Sequence, residues 1–127
     1  MANVRLDQNG IPKGPAYECT APLAHRSNVT GVDSSDPVDA SPGIDCGGYE
    51  CCRLDLLLTG VGLTDLDVQV LFWNSRQSKW FAGASRAFSA AGQYAVMAPD
   101  VRGATVFLKV TGFSGTSFSL SVDYSLS

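Results

Sequence analysis

From Ser117 to Ser127 the chain alternates without a miss. Phe118, Leu120, Val122, Tyr124 and Leu126 fall between Ser117, Ser119, Ser121, Asp123, Ser125 and Ser127. A period of two puts the apolar side chains on one face and the polar ones on the other, the pattern of a β-strand with one side on a core and one in water. Such a strand cannot bury its apolar face by itself. From Arg53 onward the chain reads as the strands that complete the same core.

Leu54, Leu56 and Leu58 point one way, with Arg53, Asp55 and Thr59 opposite. Gly60 to Asp65 reads as a turn. Leu66 to Trp73 is the next strand, apolar on both faces toward its end, with Val68, Val70 and Phe72 against Leu71 and Trp73. The polar stretch Asn74 to Lys79 is a loop, and Trp80 and Phe81 begin the return. Phe88 and the segment Gly92 to Met97 follow, then a turn at Pro99 and Asp100. Ala104 to Thr111 sets Val106, Leu108 and Val110 inward against Phe107 and Lys109 outward, and Gly112 to Thr116 turns the chain into its last strand. Residues 82–91 carry no 3.6-residue stripe and hold at most one helical turn. Six or seven short strands with Gly-rich turns predict an all-β fold. The expected architecture is an antiparallel β-sandwich or small barrel, jelly-roll-like, with an extended N-terminal arm or loop region.

Residues 1–52 follow a different rule. Pro12, Pro15, Pro22, Pro37 and Pro42 all fall here, against Pro99 alone later. Ser27 to Gly48 is rich in Ser, Asp, Gly and Pro, which favour turns over ladders. Short extended pieces are expected at Ala2–Leu6 and Tyr17–Ala21. The expected organisation is one domain overall, with residues 1–52 as an arm and loops lying on the sandwich or on a neighbouring subunit, and residues 53–127 as the sandwich core.

Composition narrows the functional classes. The net charge is −3 and no Lys/Arg cluster exists, so no nucleic-acid footprint is expected. No apolar run approaches the ~18 residues that span a bilayer, and no membrane partner is expected. Met1 to Asp7 has one base and no apolar run behind it, so the reading is of a chain without a signal peptide, made in a cytoplasm.

Few residues offer chemistry. Cys19, His25, Cys46, Cys51 and Cys52 hold every cysteine and the only histidine. Thiolate and imidazole suit zinc, but Cys46-x4-Cys51-Cys52 lacks the paired Cys-x-x-Cys spacing. Disulfides, such as one joining Cys19 to a later cysteine, require an oxidising environment, and free thiols are the third alternative. Asp33, Asp36, Asp39 and Asp45 can surround calcium, yet without EF-hand order they read first as solvated loop acids. Trp73, Asn74, Arg76, Trp80 and Phe81 gather at one hairpin loop. Exposed there, they would bind a partner protein or stack on a glycan; otherwise the aromatics are a cross-strand pair stabilising the hairpin. Trp73, Trp80 and Tyr94 would form the platform of a carbohydrate-binding module. One histidine, no Gly-x-Ser-x-Gly elbow and no phosphate loop leave little for nucleophilic or acid–base work, and no enzyme is expected.

The run Val68-Gln-Val-Leu-Phe-Trp-Asn-Ser-Arg-Gln-Ser-Lys-Trp-Phe81, the run Asp100-Val-Arg-Gly-Ala-Thr-Val-Phe-Leu-Lys-Val-Thr-Gly112 and the strand Ser117–Ser127 resemble small decoration or cement proteins of tailed bacteriophages. The resemblance implies a compact β-sandwich or barrel in the virion that clamps the major capsid protein or another virion protein at subunit junctions, as a homo-oligomer, often a trimer with extended arms. A neck or tail component of the same virion is the neighbouring reading. The resemblance carries no residue-level motif and assigns no functional side chain.

Overall fold

A computed structural model describes residues 19–98 and 100–127. The strands are β1 (Leu23–Val29), β2 (Ile44–Asp45), β3 (Cys52–Val61), β4 (Asp65–Asn74), β5 (Lys79–Phe88), β6 (Gly92–Ala98), β7 (Thr105–Ser114) and β8 (Ser117–Leu126). One sheet runs β1-β8-β3-β6 and the other β2-β7-β4-β5, with every pairing antiparallel. Neither sheet closes on itself. Of the two expected architectures, the sandwich is the one formed. No helix occurs among the described residues, and residues 82–88 continue β5.

The alternation builds the core. Leu54, Leu56 and Leu58 of β3 with Phe118, Leu120 and Val122 of β8 face Leu66, Val68 and Val70 of β4 and Val106, Leu108 and Val110 of β7, all buried. Each such side chain contributes about 1.5–3 kcal/mol on leaving water. The core also takes in Ile44, Cys46 and Cys52. Within the described residues the packing therefore begins before Arg53, and β1 and β2 are sheet strands. The expected piece at Ala2–Leu6, and Tyr17 and Glu18 of the second, lie outside the described residues.

Only the β4–β5 link stays within a sheet; the other links between described strands cross from one to the other. Two of these crossings lock at one end. Thr116 N–H donates to Val61 O at 3.1 Å and Thr64 N–H to Ser114 O at 3.0 Å. Gly115 sits at φ 140°, where a Cβ would lie 2.6 Å from the Gly62 carbonyl oxygen. That backbone region and that contact admit glycine alone.

The two sides of the sandwich differ. On one side β2 covers only Thr105 and Val106 of β7. The β7 edge beyond is closed by groups reaching across from β1 and the following loop. Leu108 N–H donates to His25 Nε2 at 3.2 Å, and Arg26 donates to Leu108 O at 3.2 Å. Val110 N–H donates to Asp33 Oδ2 at 2.8 Å, and Asp33 N–H to Val110 O at 2.9 Å. A row of unpaired strand groups invites foreign pairing, and this row is capped. On the other side, β5 and β6 are adjacent outer strands joined through residues 89–91, and among the described residues each pairs with one neighbour only.

Candidate functional site

The tryptophan hairpin forms as a cross-strand pair. Trp73 lies opposite Trp80 and Phe72 opposite Phe81 in the β4–β5 register. The indoles meet edge-on at 5.2 Å. Asn74 Oδ1 accepts the N–H groups of Arg76 and Gln77 at 3.0 and 3.1 Å, so its amide shapes the turn. Arg76 is exposed at the tip, and Phe81 is exposed on the face opposite the indoles. Trp80 is only 9% exposed.

Residues 31–43 explain that burial. They run as a strap over the outer face of the β2-β7-β4-β5 sheet, where Leu71, Trp80 and Phe107 form a second apolar cluster with Trp73 against it. The Trp80 indole N–H donates to Pro37 O at 3.0 Å, and Lys109 Nζ pairs with Asp36 at 2.8 Å. The strap leaves an open depression of ≈ 260 Å³ lined by Asp36, Val38, Trp73, Lys79 and Trp80. Tyr94 is elsewhere: it belongs to the opposite sheet, stacks on Phe88 at 4.2 Å and donates its hydroxyl to Ala90 O at 2.7 Å. A platform of Trp73, Trp80 and Tyr94 is therefore not assembled, because the two indoles share one outer face while Tyr94 belongs to the other sheet.

The acidic residues separate as well. Arg26 holds Asp33 through two hydrogen bonds of 2.6 and 3.0 Å. Asp36 pairs with Lys109, Asp39 accepts from Ser41 N–H and Oγ, and Asp45 accepts from Gly47 N–H. Burial pushes the Asp33 carboxyl up, but the Arg26 and Val110 hydrogen bonds with the charges of Arg26 and Lys109 outweigh it and hold it below its ordinary value. Asp33 is thus an internal structural acid, and the four acids do not converge on one ion.

The candidate metal or disulfide residues do not gather as one set. His25 packs edge-on against Phe107 at 5.2 Å while accepting from Leu108. Burial, with the Arg26 charge beside it, pushes its imidazolium down to about 4, so the ring is neutral and serves as an acceptor. Cys19 is exposed at the start of the described residues and Cys51 is partly exposed, whereas Cys46 and Cys52 are fully buried. Among the described residues no three His, Cys, Asp or Glu side chains gather as a metal-holding group.

One surface was missed in the sequence. The outer face of β8, β3 and β6 carries an open depression of ≈ 430 Å³ lined by Asp55, Leu57, Gln93, Ala95, Ser121 and Asp123, among others. Asp55 and Asp123 are direct cross-strand partners, a repulsive arrangement relieved by Arg53, whose Nε lies 3.0 Å from Asp55. The outward residues of each strand were visible, but their juxtaposition depends on strand order.

Comparison with protein-family models finds no match, and comparison with curated proteins finds none either.

Proposed function

We propose that this protein is a non-enzymatic structural component of a virion, a decoration or cement protein that binds the major capsid protein at subunit junctions and stabilises the shell. The observation that carries this reading is the asymmetry of the sandwich. On one side the β7 edge is capped by His25, Arg26 and Asp33, leaving β1 and the two-residue β2 outermost, while among the described residues β5 and β6 both leave a full strand edge unpaired on the other. Lys79 and Arg86 are the only charges on β5, and β6 has none. A free strand edge binds a neighbouring chain through main-chain hydrogen bonds, which suits a clamp between subunits. The only histidine supports the non-enzymatic part of the reading, since its acceptor nitrogen already serves Leu108.

The test is direct imaging of particles from the virus that encodes the chain. Density for the sandwich on the outer shell, and earlier thermal opening of particles lacking the chain, is the expected result. Density at the neck or tail would move the protein to that position in the virion. Particles without the chain would overturn the reading.

A further inference from the structure

Cys46 and Cys52 stand on opposite sheets. Cys46 follows directly on β2, its N–H donating to Ala104 O at 3.2 Å, and Cys52 opens β3 opposite Ala98 and Leu126. Between them a turn closes, with Tyr49 N–H donating to Cys46 O at 3.0 Å. Both residues are 0% exposed and belong to the one core cluster. Within that cluster each thiol shifts the other's ionisation, which sets them side by side, and Cys46 Sγ–H donates to Ile44 O at 3.6 Å. The neighbouring Cys52 sulfur, followed by burial, pushes the Cys46 thiol up.

The neighbouring cysteine is turned away. Cys51 exchanges two backbone hydrogen bonds with Ser127, at 2.9 and 3.1 Å, which fixes it in the extended ladder beside Cys52. Successive residues of a strand face opposite sides, so only Cys52 of the vicinal pair faces the core sulfur.

We infer that Cys46 and Cys52 are a disulfide site that joins the two sheets across the core. The oxidant is of the low-molecular-weight disulfide class, R–S–S–R. One cysteine thiolate attacks a sulfur of R–S–S–R, forming a mixed disulfide and releasing R–S⁻. The second cysteine thiolate then displaces the other R–S⁻, closing the Cys46–Cys52 bond. Two cysteine thiols are oxidised, R–S–S–R is reduced to two R–SH, and the two thiol protons go to the departing thiolates. Because neither sulfur is exposed, the exchange takes place before the sandwich closes, or when the turn between the two cysteines opens.

The test uses the full chain with Cys19→Ser and Cys51→Ser, which leaves only the two buried cysteines. It is unfolded, refolded with oxidised glutathione in excess, checked by circular dichroism, then denatured and treated with an alkylating agent. A mass lower by two hydrogen atoms, with no alkylation and no glutathione attached, is expected. Reduction should lower the melting temperature by roughly 10 °C for so short a loop. Two alkylated thiols, or stable glutathione adducts, would overturn the inference. Should the double variant not refold, fragmentation mapping of the unaltered chain between Cys51 and Cys52 decides the same question, and a bond through Cys19 or Cys51 would overturn it.

Discussion

The imidazole of His25 accepts the backbone N–H of Leu108, a residue 83 positions further along the chain, at 3.2 Å. A side chain from the edge of one sheet thus takes the place of a strand beside the other. The arrangement needs a neutral ring, because an imidazolium has no acceptor nitrogen.

Stability should therefore fall with acid over a defined window. Folding lowers the His25 pKa from 6.5 to about 4, so the unfolded chain takes up the proton first as the pH drops. The contribution is fully present above pH 6.5, declines as the pH falls toward 4, and amounts to about 3 kcal/mol across that interval. Asp33, whose folded pKa lies below its ordinary 3.8, loses its contribution only at still lower pH. Urea unfolding from pH 8 to pH 4 should show the slope, and His25→Gln should remove most of it. An equal slope in both proteins would rule out His25 as its source.

Arg26 and Asp33 carry the next prediction. Their side chains are 19% and 21% exposed, against 48% and 37% for Arg53 and Asp55. Arg26 also donates to Leu108 O, and Asp33 accepts from Val110 N–H. A double-mutant cycle to alanine should give a coupling of about 1–2 kcal/mol for the Arg26–Asp33 pair and under about 0.5 kcal/mol for Arg53–Asp55. Arg26→Lys should recover little, since lysine lacks the planar fork. Equal couplings would mean that edge capping adds nothing beyond an ordinary surface pair.

The edge capping was not legible in the sequence, and the reason is physical. Alternation marks the face a residue takes on its own strand, so the inward set of Leu54, Val106, Leu120 and their neighbours could be read directly. It says nothing about what crosses over that face. Phe107 alternates outward yet is 5% exposed, because the His25 ring and the Arg26 guanidinium lie on it with Trp80 beside it. His25 reads as a candidate zinc ligand by its residue type, but its role is set by Leu108, far away in the chain. Cys46 and Cys52 come together because one ends a strand of one sheet and the other begins a strand of the second, which spacing alone does not encode.

Backbone geometry at the crossing turns separates two glycines that look alike in sequence. Gly115, at φ 140°, has the Gly62 carbonyl oxygen where a Cβ would stand, 2.6 Å away. Gly31 has nothing within 4 Å of that position. Gly115→Ala should destabilise by roughly 2–4 kcal/mol through strain and displacement of residues 62–63, whereas Gly31→Ala should fall within about 1 kcal/mol of neutral. Thermal melts of the two variants compare them directly. If Gly115→Ala melts with the unaltered protein, the two crossings are not locked as described.

The open side of the sandwich makes the last prediction, and it bears on function. Ala84 and Ala87 are exposed on β5, on either side of Ser85 and Arg86, with no strand beyond them among the described residues. Ala84→Lys with Ala87→Lys would set two further positive charges beside Arg86, a device by which strand edges avoid pairing with foreign chains. Away from the core, the two changes should alter folding stability by no more than about 0.5 kcal/mol each. On the proposed role, binding to the shell, measured by co-sedimentation with particles stripped of the chain, should weaken roughly tenfold or more, equivalent to at least ~1.4 kcal/mol. A matched pair of changes on the opposite sheet, Asp55→Asn with Asp123→Asn, serves as the control because it removes charge from the depression and leaves the β5 edge intact. Loss of binding in the control with full binding in the lysine variant would transfer the contact surface from the edge to the depression. Unchanged binding in both would remove the open side from the account of how this protein holds its partner.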